Sequence, residues 1–320
     1  MHKPAFLITI DTEGDNLWQK HDSITTENAR YLPRFQQLCE KYGFKPVWLT
    51  NYEMAIDPVY IEFAKDAIAR GTAEIGMHLH AWNSPPTDPL TDDDWRHKPY
   101  LIEYSDAAMR AKVDNMTRLL EETFQTKMVS HRAGRWAFDE RYARLLMEYG
   151  YLVDCSVTPR VNWKTAKGAP QGDGGTDYRH FPQHAYFLDE NDIRREGQSS
   201  LLEVPMSIQY KHPAWMNSLK QGYDRLRGKV RSPSVHWLRP MGGNVETMKK
   251  VVEQTLTQGN DYVEYMLHSS EYMPGGSPTF KNEQDIERLY ADLESFFSWL
   301  APQVKGMTLA EYYQQKRTQR

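Results

Sequence analysis

The 320-residue sequence has little cysteine. Its two residues, Cys39 and Cys155, lie far apart and outside any CxxC spacing. That excludes a disulfide framework and a cysteine zinc site, and both thiols read as small buried hydrophobes. Long hydrophobic runs are also missing. The longest near the start, Ala5–Ile10, falls well short of the ~20 residues needed to cross a bilayer, so no membrane span is expected. That run ends directly in the acidic stretch Asp11–Asp15 rather than in a cleavage-type region, which gives the expectation of a cytoplasmic protein. No excess of one charge sign is present: 39 basic against 43 acidic residues leave a net charge of −4, which argues against a nucleic-acid partner. A hydrophobic fraction of 40% and a mean hydropathy of −0.73 are those of a globular chain with a substantial core.

Charge is unevenly spread all the same. From Lys220 to Arg239 the chain carries Lys220, Arg225, Arg227, Lys229, Arg231 and Arg239 against only Asp224, with Tyr223 and Trp237 interleaved. This is either a solvated helix-and-loop face or a landing place for a phosphate, a pyrophosphate or an acidic sugar.

Short apolar runs alternate with helical patterns. Strand-like starts fall at Ala5, Lys45, Ala73, Lys127, Tyr151, Leu201 and Tyr262. Helix-spaced segments lie between them at Glu27–Tyr42, from Pro58 to Gly71, at Ser105–Phe124, Phe138–Tyr149 and Val245–Gln258, with Glu283–Leu300 after the last. Strands alternating with covering helices imply an α/β fold with a parallel sheet, closed into a barrel or doubly wound. The alternation breaks at Val157–Ser200, rich in Gly, Pro, Asp and Arg, which reads as a long surface excursion. Neither a fixed-period repeat nor a linker is visible, so residues 1–320 read as a single domain.

Polar residues recur where these strands end, the place where parallel α/β folds collect their chemistry. The first strand runs into Asp11-Thr12-Glu13-Gly14-Asp15, the third into His78-Leu79-His80, the fourth into His131-Arg132 and the last into His268; the fifth carries Asp154. Residues two apart on an extended strand share a face, so His78 and His80 point the same way, as do Asp11 and Glu13. A two-histidine, one-carboxylate set of this kind suits a divalent transition metal, with positions left over for water.

The stretches ITIDTEGD, EIGMHLHAW, SHRAGRW, DCSVTP and YMLHSS, in that order, resemble the five motifs of the polysaccharide deacetylases, the NodB-type family 4 carbohydrate esterases, and especially their lipopolysaccharide-biosynthesis branch. The resemblance covers the chain from about Ala5 to Ser270. It implies an incomplete (β/α)7 barrel, here with long surface insertions, and metal-dependent removal of acetyl groups from amino sugars, the metal usually being zinc. Residue by residue it implies a catalytic base at Asp11, metal ligands at Glu13 and His78, an arginine orienting the base at Arg132, an aspartate at Asp154 that poises the acid, and that acid at His268. Two departures stand out. Thr12 separates the two carboxylates of the first motif, and the family's second histidine ligand falls on Trp82, so His80 is expected to take its place. Arg135 and Trp136 are candidates to line a sugar site, as is Trp82, while Trp163 stands off the position of the family's fourth-motif tryptophan.

The expectation is a metal-dependent hydrolase acting on an N-acetylated sugar in a lipopolysaccharide or exopolysaccharide precursor, with a diphosphate-linked carrier at Lys220–Arg239. O-deacetylation or deformylation on the same barrel, or a silent glycan-binding or scaffold protein, are the competing readings.

Overall fold

The computed structural model describes residues 3–17, 23–212, 216 and 234–320. Its sheet is built on β1 (Ala5–Thr12), β2 (Pro46–Thr50), β3 (Glu74–Leu79), β4 (Ser130–Ala133), β5 (Val153–Asp154), β8 (Leu202–Glu203) and β11 (Tyr262–His268). These are the seven strands expected from the sequence, all parallel, in the spatial order β11-β1-β2-β3-β4-β5-β8. Helices α1 (Leu32–Lys41), α2 (Pro58–Ala69), α3 (Asp106–Phe124), α4 (Glu140–Glu148), α5 (Val245–Thr257) and α6 (Glu283–Leu300) supply the outer layer. The sheet curls into a half-barrel. Between β8 and β11, Tyr262 Oη donates to the Pro205 carbonyl (2.6 Å) and the Glu264 amide to Ser207 Oγ (2.9 Å) in place of a strand ladder.

The period of two along each strand sorts side chains between two cores. Phe6, Ile8 and Ile10 of β1 pack outward with Ile75, Met77 and the helices. Ala5 and Leu7 point inward with Val47, Leu49, Val153, Cys155 and Leu202, and Leu309, Tyr312 and Tyr313 of the terminal helix α7 (Leu309–Gln319) close that end. Both cysteines are buried and unbridged, as expected.

The excursion at Val157–Ser200 is more ordered than its composition implies. It carries a hairpin of β6 (Tyr186–Asp189) and β7 (Asp192–Glu196) that joins β8 antiparallel and makes the sheet mixed. A short strand β9 (Ile208–Tyr210) pairs with β10 (Val235–Trp237), and β12 (Lys305–Met307) pairs with β1. The basic segment expected at Lys220–Arg239 lies outside the described residues except for its end, where Arg239 enters the site below. Among the described residues no helix is long and apolar enough to cross a membrane.

Candidate metal and catalytic site

β1 runs inward at Thr9 and Asp11 and then leaves the sheet, and the turn that follows is fixed from several sides. Ser269 Oγ accepts from the Glu13 amide (3.0 Å) and donates to its carbonyl (2.8 Å), which also takes the Asn28 amide group (2.8 Å). Gly14 has no room for a side chain, because a Cβ there would run into Ile24 and come within 2.9 Å of the Thr25 carbonyl. Its own amide donates to Glu53 (2.7 Å). Backbone held this way aims Glu13 at the end of β3.

There it meets both histidines. Glu13, His78 and His80 offer ligand atoms that all lie within 4.8 Å of one another, and all three are buried. His80 Nε2 is 2.8 Å from Glu13 Oε2 and 3.2 Å from His78 Nε2. His78 Nδ1 lies 3.0 Å from the Arg132 carbonyl, so that nitrogen carries the proton and Nε2 presents its lone pair. The Nε2 atoms of both imidazoles and a carboxylate converge in this buried space, where a shared proton or a divalent cation bridges them. Burial alone would raise the Glu13 carboxyl, yet the two histidines hold it well below its ordinary value. Burial pushes His78 down, but Asp11 and Glu13 overcome it and raise its affinity for a proton. The donor set therefore fits a divalent cation of the kind that takes nitrogen and oxygen ligands. His80 does stand where the sequence required it to, and Trp82 packs beside it, ring centroids 5.8 Å apart.

Around this triad sit the other expected residues. Asp11 accepts from Arg132 Nη1 (2.6 Å), and Arg132, fully buried, also donates to Thr9, Glu264 and the Cys155 carbonyl. Burial would raise the Asp11 carboxyl, but Arg132 keeps it below its usual range and so ionised. The guanidinium lies over Trp136, 4.7 Å from the ring centre. His268 is paired in register with Asp11 across the β1–β11 ladder, and its Nε2 stands 3.9 Å from a carboxylate oxygen of both Asp11 and Glu13.

Asp154 corrects the expectation. Its neighbours Val153 and Cys155 face the inner core, so by alternation Asp154 faces the helices. There it binds His131 Nδ1 (2.5 Å) and Ser156, and His131 Nε2 meets Tyr142 of α4 (2.7 Å). The partner of His268 is instead Glu271, whose Oε2 lies 3.0 Å from Nδ1. Arg239 grips both oxygens of that carboxylate at 2.7 and 2.6 Å. Burial would lower the His268 imidazole, but Glu271, with Glu13 and Asp11 behind it, raises it. The signal in the sequence was the three-residue spacing of HSSE, which lets the Glu271 side chain return to the His268 amide in a capping box.

These groups open on one cavity of about 640 Å³, lined by Asp11, Glu13, His78, His80 and His268 on its floor. Trp82, Trp136, Trp163, Trp237 and Tyr100 form its walls, with Lys98, Arg135 and Arg239 among them. Trp163, displaced from the family's fourth-motif position, and Trp237, read in the sequence as part of the basic segment, both line this cavity. A larger depression lined by Phe138, Asp139 and residues 169–174 holds none of these groups.

No family model matches the sequence, and no curated protein matches it. Solved structures do. A Mycobacterium smegmatis protein classed provisionally as a polysaccharide deacetylase is 16% identical with a TM-score of 0.59, over 100% of this chain and 92% of its own. A Parabacteroides distasonis protein classed provisionally as a glycoside hydrolase/deacetylase is 10% identical with a TM-score of 0.66, over 100% of this chain and 72% of its own. The Puue allantoinase is 14% identical with a TM-score of 0.54, over 98% of this chain and 90% of its own. At these identities the likeness is one of fold, and the chain has the half-barrel fold of the polysaccharide deacetylases.

Proposed function

We propose that this chain is a divalent-metal-dependent hydrolase that removes the acetyl group from an N-acetylated sugar. The observation that carries the reading is the buried Glu13–His78–His80 cluster, flanked within one tryptophan-walled cavity by an ionised carboxylate tied to Arg132 and an imidazole tied to Glu271. An ion held by Glu13, His78 and His80 would supply Lewis acidity to the attacking water and to the acetamide carbonyl. Asp11 is the base: ionised, it accepts the proton that the attacking water gives up. His268 is the acid, its Nε2 proton passing to the sugar nitrogen as the carbon–nitrogen bond breaks. Glu271 fixes the imidazole ring and favours its protonated form, and Arg132 keeps Asp11 ionised. The indole walls suit the apolar faces of a sugar ring. Zinc is the metal proposed, and a lipopolysaccharide or exopolysaccharide precursor the substrate, both resting on the sequence motifs.

The test is acetate release from N-acetylated and O-acetylated sugars by zinc-loaded protein, with a chelated control. Release confined to the N-acetylated sugars, abolished by chelation and by Asp11→Asn or His268→Ala, supports the reading. Release that survives in both variants would sink it, and bound metal with no release would favour a silent glycan-binding protein.

A further inference from the structure

The cavity holds two cations that the chemistry above does not use. Lys98 reaches in over Trp82, its Nζ 5.2 Å from the ring, and among the described residues donates to the Leu17 carbonyl (2.8 Å). Arg135 lies over Tyr100, 4.2 Å from the ring, and donates to the carbonyls of Lys98 and Lys167. Neither has a carboxylate partner within ion-pair distance among the described residues. The carboxylate that acts on Lys98 is Glu13, already bound to His80. Lys98 ends the short helix Asp94–His97 as its left-handed C-cap, φ +48°, and Arg135 is also left-handed at φ +53°, so the backbone fixes where both side chains start. Among the described residues, then, two half-buried cations locked to each other through the Arg135–Lys98 carbonyl bond have no carboxylate of their own within ion-pair distance, and an anion in the cavity would meet both.

Resting on the reading of this cavity as a sugar site, we infer that its substrate is an anionic sugar whose carboxylate or phosphate sits between Lys98 and Arg135. The ring then lies against Trp82 and Tyr100, close to the His80 end of the triad.

The test is equilibrium binding, by calorimetry at low salt, of glucose, glucuronic acid and glucose 6-phosphate to the zinc-loaded protein, with inorganic phosphate as a fourth probe. None of the four carries an acetyl group, so no turnover occurs and the result is independent of deacetylation. The expected result is that one anionic sugar binds at least tenfold more tightly than glucose, and more tightly than inorganic phosphate. That advantage should shrink with added salt and fall to threefold or less in Lys98→Gln and in Arg135→Gln. Preference for glucuronic acid identifies a carboxylate, and preference for glucose 6-phosphate a phosphate. Equal binding of charged and neutral sugars, inorganic phosphate binding as tightly as its sugar ester, or an advantage intact in both variants would each overturn the inference. Acetate release with no anion preference would overturn it alone, leaving the hydrolase reading in place.

Discussion

His268 and Glu271 form a hydrogen-bonded pair within a single turn of chain, Nδ1 to Oε2 at 3.0 Å, and Arg239 clamps the carboxylate from its other side. The arrangement gives His268 an orienting acid from its own strand end, independent of Asp154 on the opposite side of the sheet. It separates the proposed roles of Glu271 and Asp154, and that separation can be measured.

Glu271→Gln keeps the size of the side chain but removes its charge. Turnover should fall by roughly 10- to 100-fold with metal content unchanged, the usual scale for losing an orienting partner. The pH profile gives the sharper readout. Glu271, Glu13 and Asp11 raise the His268 proton affinity against burial, so the protonated acid persists above its ordinary pH and activity fades as pH rises through that raised value. In the variant this alkaline limb should move to lower pH; a limb that stays put would remove Glu271 from the role. Asp154→Asn should do the reverse, leaving turnover per folded molecule within about twofold while stability drops by roughly 1–3 kcal/mol as the buried hydrogen bonds to His131 and Ser156 are weakened.

Elemental analysis should find about one divalent ion per chain. His80→Ala and Glu13→Gln should lose it, because each removes one of the three proposed ligands found among the described residues. Trp82→Phe should retain it, since its ring packs beside His80 without offering a ligand. An ion retained in His80→Ala would show that His80 is not the second histidine ligand.

Gly134 lies against the ligand loop from below. A Cβ there would fall on the Leu79 carbonyl oxygen and lie 2.8 Å from His80 Nδ1, both belonging to the segment that carries the two histidines of the triad. Gly134→Ala should therefore displace His80, weakening metal affinity by 10-fold or more as read by competition with a chelator, with a loss of stability of roughly 1–3 kcal/mol. Wild-type affinity in the variant would mean that β3 and β4 have more slack than their contact implies.

The sequence made the seven parallel strands legible because several are short apolar runs, such as AFLITI and PVWL, next to helices of clear period, while β4 (SHRA) was marked by its place at the end of the KMVSHR run. It made the triad legible because the spacing of two in HLH and DTE survives into the strand ends. Asp154 was misread for a reason the sequence already contained: Val153 and Cys155 are inward residues, so the aspartate between them had to point out. The hairpin β6–β7 stayed hidden because its outer strand, DIRRE, is an exposed edge with little apolar signal. The walls of the cavity come from Trp82, Trp136, Trp163 and Trp237 on four separate segments, which only the closure of the half-barrel brings together.

Arg132 stands between two buried carboxylates, and the second sets a pH dependence of stability. Glu264 Oε1 takes both Arg132 Nη2 (2.6 Å) and Thr9 Oγ1 (2.9 Å), while Oε2 has no hydrogen-bond partner among the described residues. Burial raises the Glu264 carboxyl to about 8, Arg132 opposing and Asp11 reinforcing. The unfolded chain ionises this group near its ordinary value of 4.5, so between about pH 4.5 and 8 the folded state holds a proton that the unfolded state has released. Stability must therefore fall as pH rises through that window, by on the order of 5 kcal/mol at most, and level off above it. Glu264→Gln keeps an acceptor for Arg132 and Thr9 but cannot titrate. Thermal melts from pH 5 to pH 9 should show the variant gaining on wild type across the window, the difference curve isolating Glu264 from the histidines that titrate in the same range. Arg132→Met is the converse: it strands Asp11 and Glu264 without their shared cation, and should cost ~3–5 kcal/mol near neutral pH. If wild type and Glu264→Gln instead run parallel from pH 5 to 9, Glu264 is ionised throughout and Arg132 carries the charge of both carboxylates.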